Sequence, residues 1–352
     1  MAIDEAKLNE FMGKAVGDIG AALSAALVVV GDRLGLYKAM DGVGPLTPTA
    51  LAKRTGTTER YVREWLNNQA ASGYVTYDPK GGTYTLPEEQ AMAFAQEGSP
   101  AFLPGAFQVI AACFAAQDRI GDCFKTGAGM EWGEHHPCLF EGTERFFRPG
   151  YAANLVGSWL PALEGVVPKL KAGGSVADVG CGLGASTILM SQAFPASRFI
   201  GFDYHEGSVR IARERAKAAG LGDRVRFEVA SATTFPGKSY DLVAHFDCLH
   251  DLEDPAGAAK RARQAIAKDG TWLIVEPFAG DQPEQNHNII GRVFYSASTL
   301  ICTPASLSQE VGAGLGAQAG EGRLREVAEA AGFSSFRRAT ETPFNLVFEG
   351  RP

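Results

Sequence analysis

Apolar residues along this chain change their rhythm twice, and each rhythm predicts a different kind of structure. Over residues 1 to about 45, Ala, Leu and Val recur at mixed three- and four-residue spacing, the mark of helix. Gly31, Gly35 and the cluster Asp41-Gly42-Val43-Gly44-Pro45 read as punctuation. A helix with so few charges must bury its surface, and a small front domain has little core to offer. A dimer interface is expected there.

From Leu46 the pattern tightens. Thr47-Pro48 opens a short helix over Thr49 to Thr55, with Pro where its missing N–H costs nothing, and Gly56 breaks it. A second helix runs from Thr57 to about Ser72, with Gly73 ending it. Tyr74 to Tyr77 and Thr83 to Leu86 alternate like strands around Asp78-Pro79-Lys80-Gly81-Gly82. Helix, turn, helix and hairpin in that order predict a winged helix-turn-helix.

Residues 98–170 are mostly helical and broken by Pro100, Pro104, Pro137, Pro149 and Pro161, which suggests walls of a substrate pocket. From Ser175 short apolar runs alternate with amphipathic ones. Strands are predicted at Ser175–Val179, Arg198–Phe202, Val225–Val229, Tyr240–Phe246 and Trp272–Val275, most of them separated by helices of ten to twelve residues. That alternation predicts an α/β fold of βαβ units, a doubly wound and mainly parallel sheet. A Gly- and Ser-rich insertion (277–320), a helix Arg323–Ala331 and a strand pair at roughly 335–349 follow. The expected domains are 1–97 (winged helix and dimerisation), 98–170 (connector) and 171–352 (ligand-binding sheet).

Composition narrows the class. With 45% hydrophobic and 21% charged residues, the 352-residue chain is an ordinary globular one. A net charge of −7 offers no global attraction to nucleic acid or anionic lipid. The longest charge-free apolar run near the start, Ile19 to Gly31, is shorter than the roughly 20 residues a bilayer requires. Met-Ala-Ile-Asp-Glu lacks the basic start of a secretory signal. Six cysteines without CxxC spacing read as reduced thiols, so a cytoplasmic protein with neither disulfides nor a metal site is expected.

The strongest chemical signal is Val176-Ala177-Asp178-Val179-Gly180-Cys181-Gly182-Leu183-Gly184-Ala185, a strand running through a glycine turn into a helix. Glycines let a ligand approach the backbone, and the helix start presents free N–H groups. Gly180, Gly182 and Ala185 also fit the dinucleotide fingerprint. Asp178 weighs against a dinucleotide: a carboxylate two residues before the first glycine repels a pyrophosphate and welcomes a cationic amino-acid group. Asp203 ends the second strand, 19 residues after Gly184, where it can hold both hydroxyls of a ribose.

This stretch resembles the first motifs of class I S-adenosylmethionine-dependent methyltransferases. The resemblance implies S-adenosylmethionine as cofactor, with Asp178, Gly180 and Gly182 around its methionine part and Asp203 on the ribose. It also implies Tyr204, Ser231 and Ala232 near the adenine. Cys181 would offer its backbone, and Phe246, at the exit of the fourth strand, completes the expected cofactor shell. Many members carry an acid where this chain has Ser231.

After the fourth strand comes Asp247-Cys248-Leu249-His250-Asp251-Leu252-Glu253-Asp254-Pro255, on the loop nearest the cofactor's reactive end. His250 has a suitable pKa range to take a hydroxyl proton, and Glu276, ending the fifth strand, is placed to hold its other nitrogen. Asp251 and Asp254 are expected to cap the next helix. With the front domain, Cys248-Leu249-His250-Asp251 and the tail Leu324 to Phe333 resemble the winged-helix O-methyltransferases of small-molecule metabolism. The resemblance implies a small hydroxylated acceptor, a homodimer and His250 as general base. One of the two acids that flank such a histidine is Glu276; the other is not evident. In related methyltransferases the same histidine serves only to orient substrate or backbone.

Other residues carry weaker signals. His135-His136 beside Trp132 and Glu134 could line a pocket or bind a metal, though adjacent histidines lack ligand spacing; Arg148 and Tyr151 could close over the cofactor or serve packing, and His245 reads as a core residue. The rival function is a transcriptional regulator that binds S-adenosylmethionine. Arg60, Arg63 and Asn67 could reach a DNA groove, but Glu59 and Glu64 oppose phosphate and only Lys80 marks the wing. Nucleic-acid binding is therefore not expected.

Overall fold

The computed structural model describes residues 3–352. Its chain divides into two compact units, residues 1–112 with 141–149, and residues 113–140 with 150–352, so the segment 98–170 contributes to both.

The first unit begins with one helix, Glu5–Arg33, capped by Asp4, whose carboxylate accepts the N–H groups of Ala6 and Lys7. Gly31 does not interrupt it, contrary to the sequence reading. A Cβ at Gly31 would lie 2.5 Å from the Trp65 ring, so glycine lets the helix approach that indole. Only part of the helix is covered, and Leu8, Phe11, Val16, Ile19 and Leu23 stay exposed. With its 29 residues the helix is long and apolar enough to cross a membrane by length and composition, and the charge-free run Ile19 to Gly31 is only part of it.

Thr47 caps Pro48–Thr55 through Ala50 N–H, and Gly56 ends it in the left-handed region. Glu59–Ala71 follows, then the hairpin of β1 (Thr76–Asp78) and β2 (Thr83–Thr85), to which Leu46 adds a bridge at Tyr84. Val28, Tyr37, Met40, Leu51, Trp65, Leu66 and Phe94 form its core. The predicted winged helix is present.

Seven strands form the sheet of the second unit. They are β3 (Ser175–Val179), β4 (Arg198–Asp203), β5 (Val225–Val229), β6 (Tyr240–Phe246), β7 (Ile266–Pro277), β8 (Ser335–Glu341) and β9 (Asn345–Arg351). Their order is β5-β4-β3-β6-β7-β9-β8, parallel except for β9, which is antiparallel to both neighbours. Apolar runs such as Ala177, Phe202, Val243, Ile274 and Phe348 pack against helices Pro255–Ala265 and Gly320–Ala330 in one core. The winding starts at β3, proceeds outward to β5, then reverses to β6. That reversal falls at the C-terminal ends of β3 and β6, the kind of place where α/β sheets bind ligands.

The insertion 277–320 is more ordered than its composition suggests. It forms helix Ile289–Ala297, a π-turn Ser298–Cys302 and helix Thr303–Leu307. It is hydrogen-bonded onto the loop after β6: Ala313 N–H donates to Glu253 O, Gly316 N–H to His250 O, and the Ser306 hydroxyl to Leu252 O.

Candidate active site

The β3 turn is built by backbone needs. Gly180 (φ +75°) and Gly182 (φ +51°) lie in the left-handed region. A Cβ on Gly180 would sit 2.6 Å from Cys248 Sγ, whereas Gly182 faces open space. The N–H groups of Gly180 and Cys181 donate to Phe202 O, which ties the turn to β4. Cys181 is itself buried.

Two carboxylates hold this cradle in different ways. Asp203 accepts the Gly182 N–H on Oδ2 (2.8 Å) and the His205 N–H on Oδ1 (2.9 Å), so it sets both turns; burial raises its pKa. Asp178 is fully buried and accepts the hydroxyls of Ser186 (2.6 Å) and Thr187 (2.5 Å) on Oδ2. Its Oδ1 has no hydrogen-bond partner among the described residues. Burial pushes its pKa up to about 6, against the two hydroxyl donors that lower it. A buried, half-satisfied carboxylate under an open glycine turn fits a ligand that brings positive charge.

Tyr204 follows Asp203 and is about half exposed, and burial raises its phenol pKa. Ser231, two residues past β5, is bonded locally, its Oγ accepting the Thr233 N–H, and Ala232 is partly buried beside it. Phe246 is buried at the end of β6, its ring 5.5 Å from that of Tyr151. The sequence-chosen residues thus stand at the C-terminal ends of four neighbouring strands.

The second cluster lies on the turn Leu249–Asp251 after β6. His250 is 4% exposed. Its Nδ1 is bonded to Glu276 Oε2, and Glu276 Oε1 accepts the Leu249 N–H (3.0 Å). Asp251 Oδ1 lies 2.9 Å from Nε2, yet that oxygen makes no aligned hydrogen bond to any described residue. Burial lowers the imidazole pKa, but Asp251 and Glu276 outweigh it and leave it well above the usual value. Asp254 caps the next helix as expected, accepting Gly257 N–H at 2.7 Å; Asp251 does not, and turns to the histidine instead.

Sequence reasoning overlooked Asp247, which has φ +48° and is buried. Its Oδ2 accepts the Tyr151 hydroxyl (2.8 Å) and its Oδ1 the Asn345 amide (2.9 Å). Burial, then the nearby Glu276 charge, push its pKa up to about 8. A charged residue directly after a buried, mostly apolar strand was the available signal. Tyr151 is therefore bound to Asp247, while Arg148 pairs with Glu97 (2.9 Å) in the first unit. His245 accepts the Trp272 indole N–H (3.0 Å), and burial lowers its pKa to about 3. The adjacent histidines diverge: His136 Nδ1 lies 2.9 Å from Cys138 Sγ, and neither ring nitrogen of His135 has a partner among the described residues.

Comparison with known proteins matches the same two regions. Residues 21–96 match the Rv2258c-like winged HTH domain, and residues 170–316 match a methyltransferase domain. The chain is 34% identical over 114 residues to 27-O-demethylrifamycin SV methyltransferase of Amycolatopsis mediterranei, covering 32% of this chain and 41% of that protein. It spans about a quarter to a half of the length of the curated relatives it matches. Solved structures share the fold across almost the whole chain. Mitomycin 7-O-methyltransferase superposes with a TM-score of 0.70 at 20% identity, covering 99% of this chain and 100% of that one. Human N-acetylserotonin methyltransferase, solved with its S-adenosylmethionine, gives 0.68 at 16% identity, covering 99% of each. This protein carries a class I methyltransferase fold with a winged helix-turn-helix domain ahead of it.

Proposed function

We propose that the protein is an S-adenosylmethionine-dependent methyltransferase acting on a hydroxyl oxygen of a small molecule. The observation that carries this reading is the pairing of a glycine cradle over the half-satisfied Asp178 with a buried His250–Glu276 pair one strand away. Among the residues present, Asp178, Gly180, Cys181 and Gly182 would hold the methionine part, Asp203 the ribose, and Tyr204, Ser231, Ala232 and Phe246 the adenine end. The cofactor, when bound, supplies an electrophilic methyl group on a sulfonium.

The chain's own residues would then align and deprotonate the acceptor. Alignment of two bound reactants supplies most of the acceleration. His250 takes the acceptor proton at Nε2, adding roughly 10²–10⁴-fold. Glu276 fixes the tautomer by holding Nδ1 and compensates the charge that develops on the ring. Asp251 is the second flanking acid. Because both carboxylates favour imidazolium, His250 must lose a proton before it acts, so the rate rises with pH through the raised pKa.

The exposed apolar stripe of Glu5–Arg33 supports a homodimer built on the first unit. The regulator reading gains no support from the second helix of the winged domain. Arg60 and Arg63 are paired with Glu64 and Glu59, and Asn67 accepts the Tyr84 hydroxyl (2.6 Å). Calorimetry is the direct test. Uptake of adenosylmethionine and adenosylhomocysteine, with none of a nicotinamide dinucleotide, is expected; the reverse result ends the proposal.

A further inference from the structure

The reaction cluster holds more donor atoms than a base and its orienting acid require. A ring nitrogen of His250, a carboxylate oxygen of Asp251 and Sγ of Cys302 all lie within 4.8 Å of one another. His250 and Cys302 are buried, and Asp251 Oδ1, a buried oxygen 2.9 Å from His250 Nε2, makes no aligned hydrogen bond to any described residue. Cys302 arrives from a separate element, the π-turn Ser298–Cys302, a local distortion that frequently marks functional sites.

From this arrangement we propose that His250, Asp251 and Cys302 form a zinc site, and that its occupation shuts off methyl transfer. The donor set combines imidazole nitrogen, carboxylate oxygen and thiolate sulfur. Zinc accepts all three, and three protein ligands leave a fourth position open. The support behind the histidine is also in place. Glu276 holds Nδ1 and is anchored by the Leu249 N–H, the pairing that fixes the ring of a metal-bound imidazole. A divalent ion would also offset the carboxylates of Asp251 and Glu276, which one imidazolium leaves in excess. This site departs from the sequence-based expectation of no metal.

Binding and inhibition are separable. Binding follows from the three donors alone. Inhibition rests on the proposed role of His250, because zinc would occupy the nitrogen that otherwise receives the acceptor proton.

Cobalt(II) titration of the chelator-stripped full-length protein tests the binding directly. One cobalt per chain is expected, with a near-ultraviolet thiolate-to-metal band that added zinc abolishes. Cys302→Ser should lose the band, and both it and Asp251→Asn should weaken zinc by more than about tenfold, the least that loss of a supporting partner behind a ligand costs. Cys113→Ala, altering a thiol outside the cluster, should keep the band. A wild-type protein without the band, or a band that survives in Cys302→Ser, overturns the site. Stoichiometric zinc should abolish turnover, and a chelator should restore it. Full turnover by zinc-loaded protein would overturn the inhibition together with the base role of His250, while the spectral result would stand.

Discussion

Two buried clusters of charge, one in each unit, show how differently a protein can treat the same groups. In the first unit Arg145 donates to Asp32 (2.7 and 3.1 Å), Glu97 (3.1 Å) and Gln108 (2.9 Å), and its guanidinium lies over the Phe102 ring. Opposite charges face each other, and the fork geometry of arginine is used on two acids. Around His250 two carboxyls, Asp251 and Glu276, share one imidazole, and a third, Asp247, is buried beside them. Asp247 stands at positive φ, an Asp251 oxygen lacks an aligned partner, and pKa values are displaced. The first cluster is satisfied within itself. The second is complete only with something added, and such unbalanced sites are where chemistry is expected.

Substitutions should separate the two. His250→Ala is expected to lower kcat by roughly 10²–10⁴-fold with cofactor affinity nearly intact. Steady-state kinetics with calorimetry will check this, and an active variant removes the base role. Arg145→Met should instead destabilise the fold by about 3–5 kcal/mol, because it strands Asp32 without its cation. Denaturant unfolding measures this, and a loss below about 1 kcal/mol would show the first cluster to be dispensable. Asp203→Ala should weaken cofactor binding by about 1.5–3 kcal/mol, with little change in kcat at saturation. Unchanged affinity refutes the ribose assignment.

Two smaller effects sharpen the contrast through pH. Asp251→Asn removes one of the carboxylates that raise His250, so the rising limb of the kcat–pH profile should move to lower pH; an unmoved limb means that another group sets it. Asp247 has its carboxyl raised from 3.8 to about 8 in the fold. Its stabilising contribution is therefore complete below the unfolded value and is lost as pH climbs through about 8. Asp247→Asn, which tolerates positive φ, should flatten the stability curve across that window. An unaltered curve would show that Asp247 is ionised throughout.

Much of this was legible in the residues because local rules and the global fold agree. The five parallel strands, the glycine cradle and the placement of Glu276 behind His250 follow from apolar runs and their exits. What escaped notice depends on contacts distant in sequence. Gly31 looks like a helix break until Trp65, 34 positions on, is known to press against it. Asp251 looks like a helix cap beside Asp254, and only the fold shows Asp254 taking that task alone while Asp251 turns to His250. Cys302 belongs to a segment whose small residues suggested irregular chain. Its helices form against the loop after β6, a neighbour that composition does not reveal.

The position of β9 has a consequence for synthesis. It fills the slot between β7 and β8, although it is translated after both, and it carries Asn345 to Asp247. Until the ribosome has passed Arg351, β7 exposes an unpaired apolar edge of the kind that invites association with other chains. The reaction loop also lacks one of its anchors. Closure of the second unit must therefore wait for the last strand, and this half of the protein is the one most in need of protection while nascent.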